Sequence, residues 1–97
     1  NDVFETAARM YPNDPVTNLN AANVEIAGGK YKDARRHLLK AGDSAEATYA
    51  WGLYYIGEGD YDKSDEKLKE AREQGIAEAS EMLRQSAALR EYHANNN

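Results

Sequence analysis

The 97-residue chain contains no cysteine. A disulfide framework and a thiolate zinc cluster are therefore excluded, and the redox compartment is left open. It has no apolar run longer than nine residues, Tyr49–Gly57. That is far short of the ~20 needed to cross a bilayer. It has no cationic surplus: the net charge is −5. Nucleic-acid binders concentrate a basic excess on one face, so a nucleic-acid partner is not expected. Only two histidines occur, His37 and His93, without metal-ligand spacing or a nucleophile nearby in sequence. Gly28-Gly29 and Gly57-x-Gly59 read as helix ends rather than a phosphate-binding loop. No signal peptide stands at the start. The opening NDVFETAARMYP, with Phe4-x-x-Ala7 before Pro12, reads as the end of a helix that begins further upstream in a longer protein.

What the chain does have is internal repetition. An offset of 30 places Ile26 over Ile56, Gly29 over Gly59, Tyr31 over Tyr61, Leu38 over Leu68 and Ala41 over Ala71. Small residues also coincide, Ala34 with Ser64 and Ala22 with Gly52. An offset of 32 lays Ala45-Glu46-Ala47 over Ala77-Glu78-Ala79. A period of this length is the mark of a stacked helical array. Small side chains at Ala22, Gly52, Ala34, Ser64, Ala41 and Ala71 suit helix pairs whose backbones cross closely. Gly52 in mid-helix costs about 1 kcal/mol against alanine, so it implies a close approach that repays it.

Trp51-Gly52-x-x-Tyr55, followed by Ser64-x-x-x-Leu68-x-x-Ala71, resembles the tetratricopeptide repeat. Ala34-x-x-x-Leu38-x-x-Ala41 matches its second half, whereas in Asn18-x-x-Ala21-Ala22-x-x-Glu25 a glutamate replaces the aromatic. Residues 71–79 also resemble the related Sel-type repeats. The resemblance implies an all-α fold, a short α-solenoid of antiparallel helix hairpins in a single domain. Repeat one covers residues 15–41 and repeat two residues 45–74, followed by a capping helix over 77–92 and a disordered tail over 93–97.

Local signals place the boundaries. Asp14-Pro15 starts a helix that runs to about Ala27. A second spans Tyr31–Ala41, shortened by a brief junction and closed by Gly42. Asp43-x-x-Glu46 has capping-box spacing ahead of a helix over 45–58. Asp60 caps one over 61–74. Gly75 breaks the pattern before the last helix, whose inward face is expected at Ala79, Met82, Leu83, Ser86 and Ala87.

Candidate chemistry is sparse. Asp60, Asp62 and Asp65 invite a calcium loop, but Asp65 and Ala71 stand where that loop needs glycine and glutamate, so they read as a capped helix start. No catalytic, cofactor-binding or metal site is expected. Residues 30–40 carry five cations against Asp33, a net +4, and residues 58–81 carry nine acids against four cations, a net −5. These read as solvated outer helices of opposite charge. Trp51 and Tyr55 share a face with Gly52 and are expected in the core, Trp51 between the third and fourth helices or against the last. Truncating a buried residue of that size costs ~3–5 kcal/mol.

By resemblance, Leu19, Asn23, Ile26, Tyr49, Leu53 and Ile56 line the concave groove of the array. Some tetratricopeptide domains grip a C-terminal carboxylate there with lysine, asparagine and arginine. The corresponding positions here are Leu19, Asn23, Ala50, Glu78 and Met82, and only Asn23 matches. The expectation is a non-enzymatic interaction scaffold holding an extended or helical peptide through apolar contacts that vary little with salt. The alternative is a structural appendage that packs on or spaces a neighbouring domain, as short repeat tails do on some bacterial envelope proteins.

Overall fold

The computed structural model describes residues 14–96, and among them it is all-α, with five helices and no strand. These are α1 (Pro15–Ala27), α2 (Tyr31–Leu38), α3 (Ala45–Glu58), α4 (Tyr61–Glu73) and α5 (Glu78–Asn95). The expected helix end around Phe4, Ala7 and Pro12 lies outside the described residues. Helices α1 and α2 form one hairpin, α3 and α4 a second, and α5 packs on α4 and more lightly on α3. The result is a short α-solenoid measuring 45 × 29 × 16 Å. Two helices with axes about 8–10 Å apart and a Cα radius of about 2.3 Å span roughly 14 Å. The thinnest dimension therefore admits a single layer of helix pairs.

Each boundary has a local cause. Asp14 caps α1 by accepting a hydrogen bond from Thr17 N, and Pro15 occupies the first turn, where its missing N–H is not needed. Asp60 does the same for α4 by accepting from Lys63 N. The cap of α3 is Ser44 rather than Asp43: its Oγ accepts from Ala47 N at 3.1 Å. Ser44 has the extended backbone a cap requires, and the residue before it is one position too early to reach the helix N–H groups. Helix α2 ends at Leu38, not Ala41. The chain then tightens into i→i−3 turns, Lys40 N to His37 O and Ala41 N to Leu38 O, before Gly42 turns at φ +79°. Gly75, at φ +103°, separates α4 from α5 as expected.

The core is built at the crossing of α3 and α4. A Cβ on Gly52 would lie 2.6 Å from Leu68 Cδ2, so the side chain of Leu68 occupies the space that only glycine leaves. Ser64 Oγ closes the same crossing by donating to Gly52 O at 2.9 Å. Leu68, Ala71 and Ala79 form one buried cluster, covered by Tyr49, Ile56, Ile76, Met82 and Leu83. Ala22, Ala34, Leu38, Ala50 and Tyr54 form another.

Trp51 belongs to this other cluster, facing the first hairpin, and not between α3 and α4 or against α5. Tyr54 takes the buried position instead, with ring centroids 5.5 Å from Trp51, 5.2 Å from Tyr55 and 6.3 Å from Tyr31. Trp51 is half-buried, with the Arg35 guanidinium 5.9 Å from its ring. The cost of Trp51→Ala accordingly moves to the lower end of ~3–5 kcal/mol.

Helix α5 buries Ala79 and Ser86 and half-buries Met82 and Leu83, while Ala87 is exposed, contrary to expectation. One residue C-terminal of Ser86, it turns about 100° away from the seam. The helix also runs past Tyr92 to Asn95. Arg90 bridges to Asp62 at 2.8 Å and Asp65 at 3.0 Å, and His93 stacks on Tyr61, tying this stretch to α4. Residues 94–96 are exposed, with Asn96 Nδ2 donating to Tyr92 O. Amide exchange should therefore be slow through α4 and rise steeply beyond His93. Protection at 94–96 matching that of Leu68 would show that this end docks.

Candidate functional site

Helices α1, α3 and the start of α5 enclose a groove of about 410 Å³. Ile26 and Ala27 come from the last turn of α1, Glu46, Tyr49 and Leu53 from α3, and Ile76 and Glu78 from the turn into α5. Asn23 completes the wall. The spacing of Asn23 and Ile26, and of Glu46, Tyr49 and Leu53, is three and four residues, so each set lies on one face of its helix. Gly75 supplies the left-handed bend that brings Ile76 and Glu78 back against Tyr49. Burial, and after it the charge of Glu78, pushes the Tyr49 phenol above its ordinary pKa. The hydroxyl thus stays protonated and available as a donor.

Of the six residues expected to line a groove, four do so together: Asn23, Ile26, Tyr49 and Leu53. Leu19 packs on the buried cluster around Tyr54 and faces a separate depression of about 250 Å³ with Pro15, Val16, Ala41 and Gly42. Ile56 packs on Leu68, Ala71 and Ala79. Leu19 stands seven residues ahead of Ile26, about 10 Å along α1, and Ile56 follows Leu53 by three, about 300° round α3 and nearly a turn further along it, so neither falls on the groove wall. Ala27, Glu46 and Ile76 were not expected there, whereas Glu78 was read only as the counterpart of a clamp lysine. Glu46 looks like first-turn charge, and Ile76 and Glu78 join only through the Gly75 turn. The lining is therefore not purely apolar: it carries two carboxylates.

The remaining polar candidates are spent on the fold. Asp60 caps α4, while Asp62 and Asp65 pair with Arg90. Among the described residues, no group of three acidic, histidine or cysteine side chains is placed to hold a metal ion. His37 Nδ1 lies 2.5 Å from Glu25 Oε1, and Glu25 is only 2% exposed. The acids of α4 find their distant cation on α5, not on basic α2, where Arg36 pairs with Asp33. No helix of the described residues is long and apolar enough to cross a membrane. No protein-family model, curated protein or solved structure matches this chain.

Proposed function

We propose that the chain is a non-enzymatic interaction module of the tetratricopeptide-like kind, holding an extended or helical peptide segment of another protein in the groove lined by Asn23, Ile26, Tyr49 and Leu53. The observation that carries this is the groove itself: about 410 Å³, floored by Ile26, Leu53 and Ile76. That is room for a few anchoring side chains. Peptide recognition in such grooves rests on apolar anchors at helical or extended spacing.

Selection from a displayed library of random peptides tests it. Enriched peptides should share apolar anchors, and Tyr49→Ala or Leu53→Ala should weaken them at least about tenfold, as expected at the centre of a binding surface. Both residues are half-buried, so circular dichroism must show the variants folded. An acidic peptide ending in a free carboxylate should show no measurable affinity. Ala50, at one clamp position, is 1% exposed and Glu78, at another, repels an anion. Micromolar binding of that peptide, lost when its carboxylate is capped, would overturn the assignment.

A second reading, a structural appendage on a neighbouring domain, is favoured by exposed apolar residues of the first described hairpin. There Val16 and Leu39 are exposed, and Pro15, Val16 and Leu19 line the smaller depression. Selected peptides that respond to Val16→Ser and ignore Leu53→Ala would favour it.

A further inference from the structure

The charges at the groove are of one sign. Its lining contains Glu46 and Glu78 and no lysine or arginine. Neither carboxylate forms an ion pair among the described residues, whereas Asp33, Asp60, Glu70 and Glu81 each hold a cation on their own helix. Glu46 lies in the first turn of α3 and Glu78 in the first turn of α5. Helix N-termini favour negative charge. Two like charges therefore stand beside an apolar floor at low cost, with no lysine or arginine of the described residues in the lining beside them. Tyr49 adds an aromatic ring and a protonated hydroxyl between the two helix starts.

We infer that the occupant of the groove is a protein segment in which a lysine or arginine flanks an apolar anchor, the anchor seated on Ile26, Leu53 and Ile76 and the cation held by Glu46 and Glu78. This rests on the groove being the binding surface. A long basic side chain fits both halves of the lining, because its methylene stem follows apolar surface while its head reaches the carboxylates. Arginine gains further from the face of Tyr49. An acidic segment or a phosphate backbone meets only like charge. The apolar floor supplies most of the affinity and the carboxylates supply the selection. The weak salt dependence expected from apolar contacts alone is thereby revised for cationic segments.

The test uses three capped, fluorescein-labelled peptides with a Leu-X-X-Phe core, X being arginine, its uncharged isostere citrulline, or glutamate. Fluorescence polarisation with the whole chain should rank arginine above citrulline by about three- to tenfold, the scale of two partly exposed ion pairs. Glutamate should rank lowest. The arginine advantage should shrink with added salt and vanish in the Glu46→Gln/Glu78→Gln variant, to which the arginine and citrulline peptides should bind alike. Equal binding of arginine and citrulline would overturn the charge inference while leaving the groove reading intact. Binding of none of the three would overturn both. Concentration-dependent self-association abolished by the same double variant would assign the groove to a second copy of the chain and likewise overturn the inference.

Discussion

Leu68→Ala should destabilise the fold by about 2–5 kcal/mol. Native domains hold roughly 5–15 kcal/mol in all, so a large share of the stability is expected to go. Leu68 is fully buried, and among the described residues only Leu38 matches it as a large aliphatic side chain so completely covered. Its Cγ and Cδ2 fill the space above Gly52, and glycine can offer nothing to collapse into the cavity. Leu89→Ala, at 38% exposure, should change little and serves as the control. Urea unfolding followed in parallel by far-ultraviolet circular dichroism and by Trp51 fluorescence measures the effect. An unchanged midpoint for Leu68→Ala would mean that α3 and α4 are not packed as described. Trp51 reports on the cluster around Tyr54 and Leu68 anchors the other, so separated midpoints in the variant would show the two clusters melting apart.

His37→Ala should cost on the order of 3 kcal/mol, because it leaves the buried Glu25 carboxyl without its partner. The cost goes no higher because the His37 side chain keeps 16% exposure and water can partly replace it. Substituting both residues, Glu25→Met with His37→Leu, should cost far less than His37→Ala alone, since a buried polar pair replaced by apolar groups of similar size is often neutral or stabilising. Thermal melts of the single and double variants decide the matter. If His37→Ala melts with the parent, Glu25 is satisfied some other way and the pair contributes nothing.

The elements that sequence made legible were those set by backbone chemistry. Asp14-Pro15, Asp60, Gly59 and Gly75 act within three or four residues of themselves, so their effect can be read locally. Gly52 was readable too, since a glycine in mid-helix demands a reason and Leu68 supplies it. What escaped was the choice among near-equivalents. Tyr49, Trp51, Tyr54 and Tyr55 leave an aromatic on almost every side of α3, and periodicity alone does not say that Tyr54 goes in. The Glu25–His37 pair escaped for a different reason. Two polar residues twelve positions apart look solvated until the α1–α2 hairpin places them together. In the candidate groove, the residues read from α1 and α3 followed helix periodicity, while Ile76 and Glu78 depended on the path of the chain after α4.

Among the described residues, the main packing partners of every helix lie one or two places away along the chain: α1 with α2 and α3, α3 with α4 and α5. Such a structure has a low contact order, because no element waits for a distant one. Closing each short loop costs little chain entropy, and that cost rises only slowly with length. Helical proteins of this kind fold on microsecond to millisecond timescales. Stability then becomes a sum over neighbouring units rather than a property of one sealed core. Helix α5 packs mainly on α4 and carries Glu78 into the groove, so its release would dismantle one wall while leaving α1 and α3 in place.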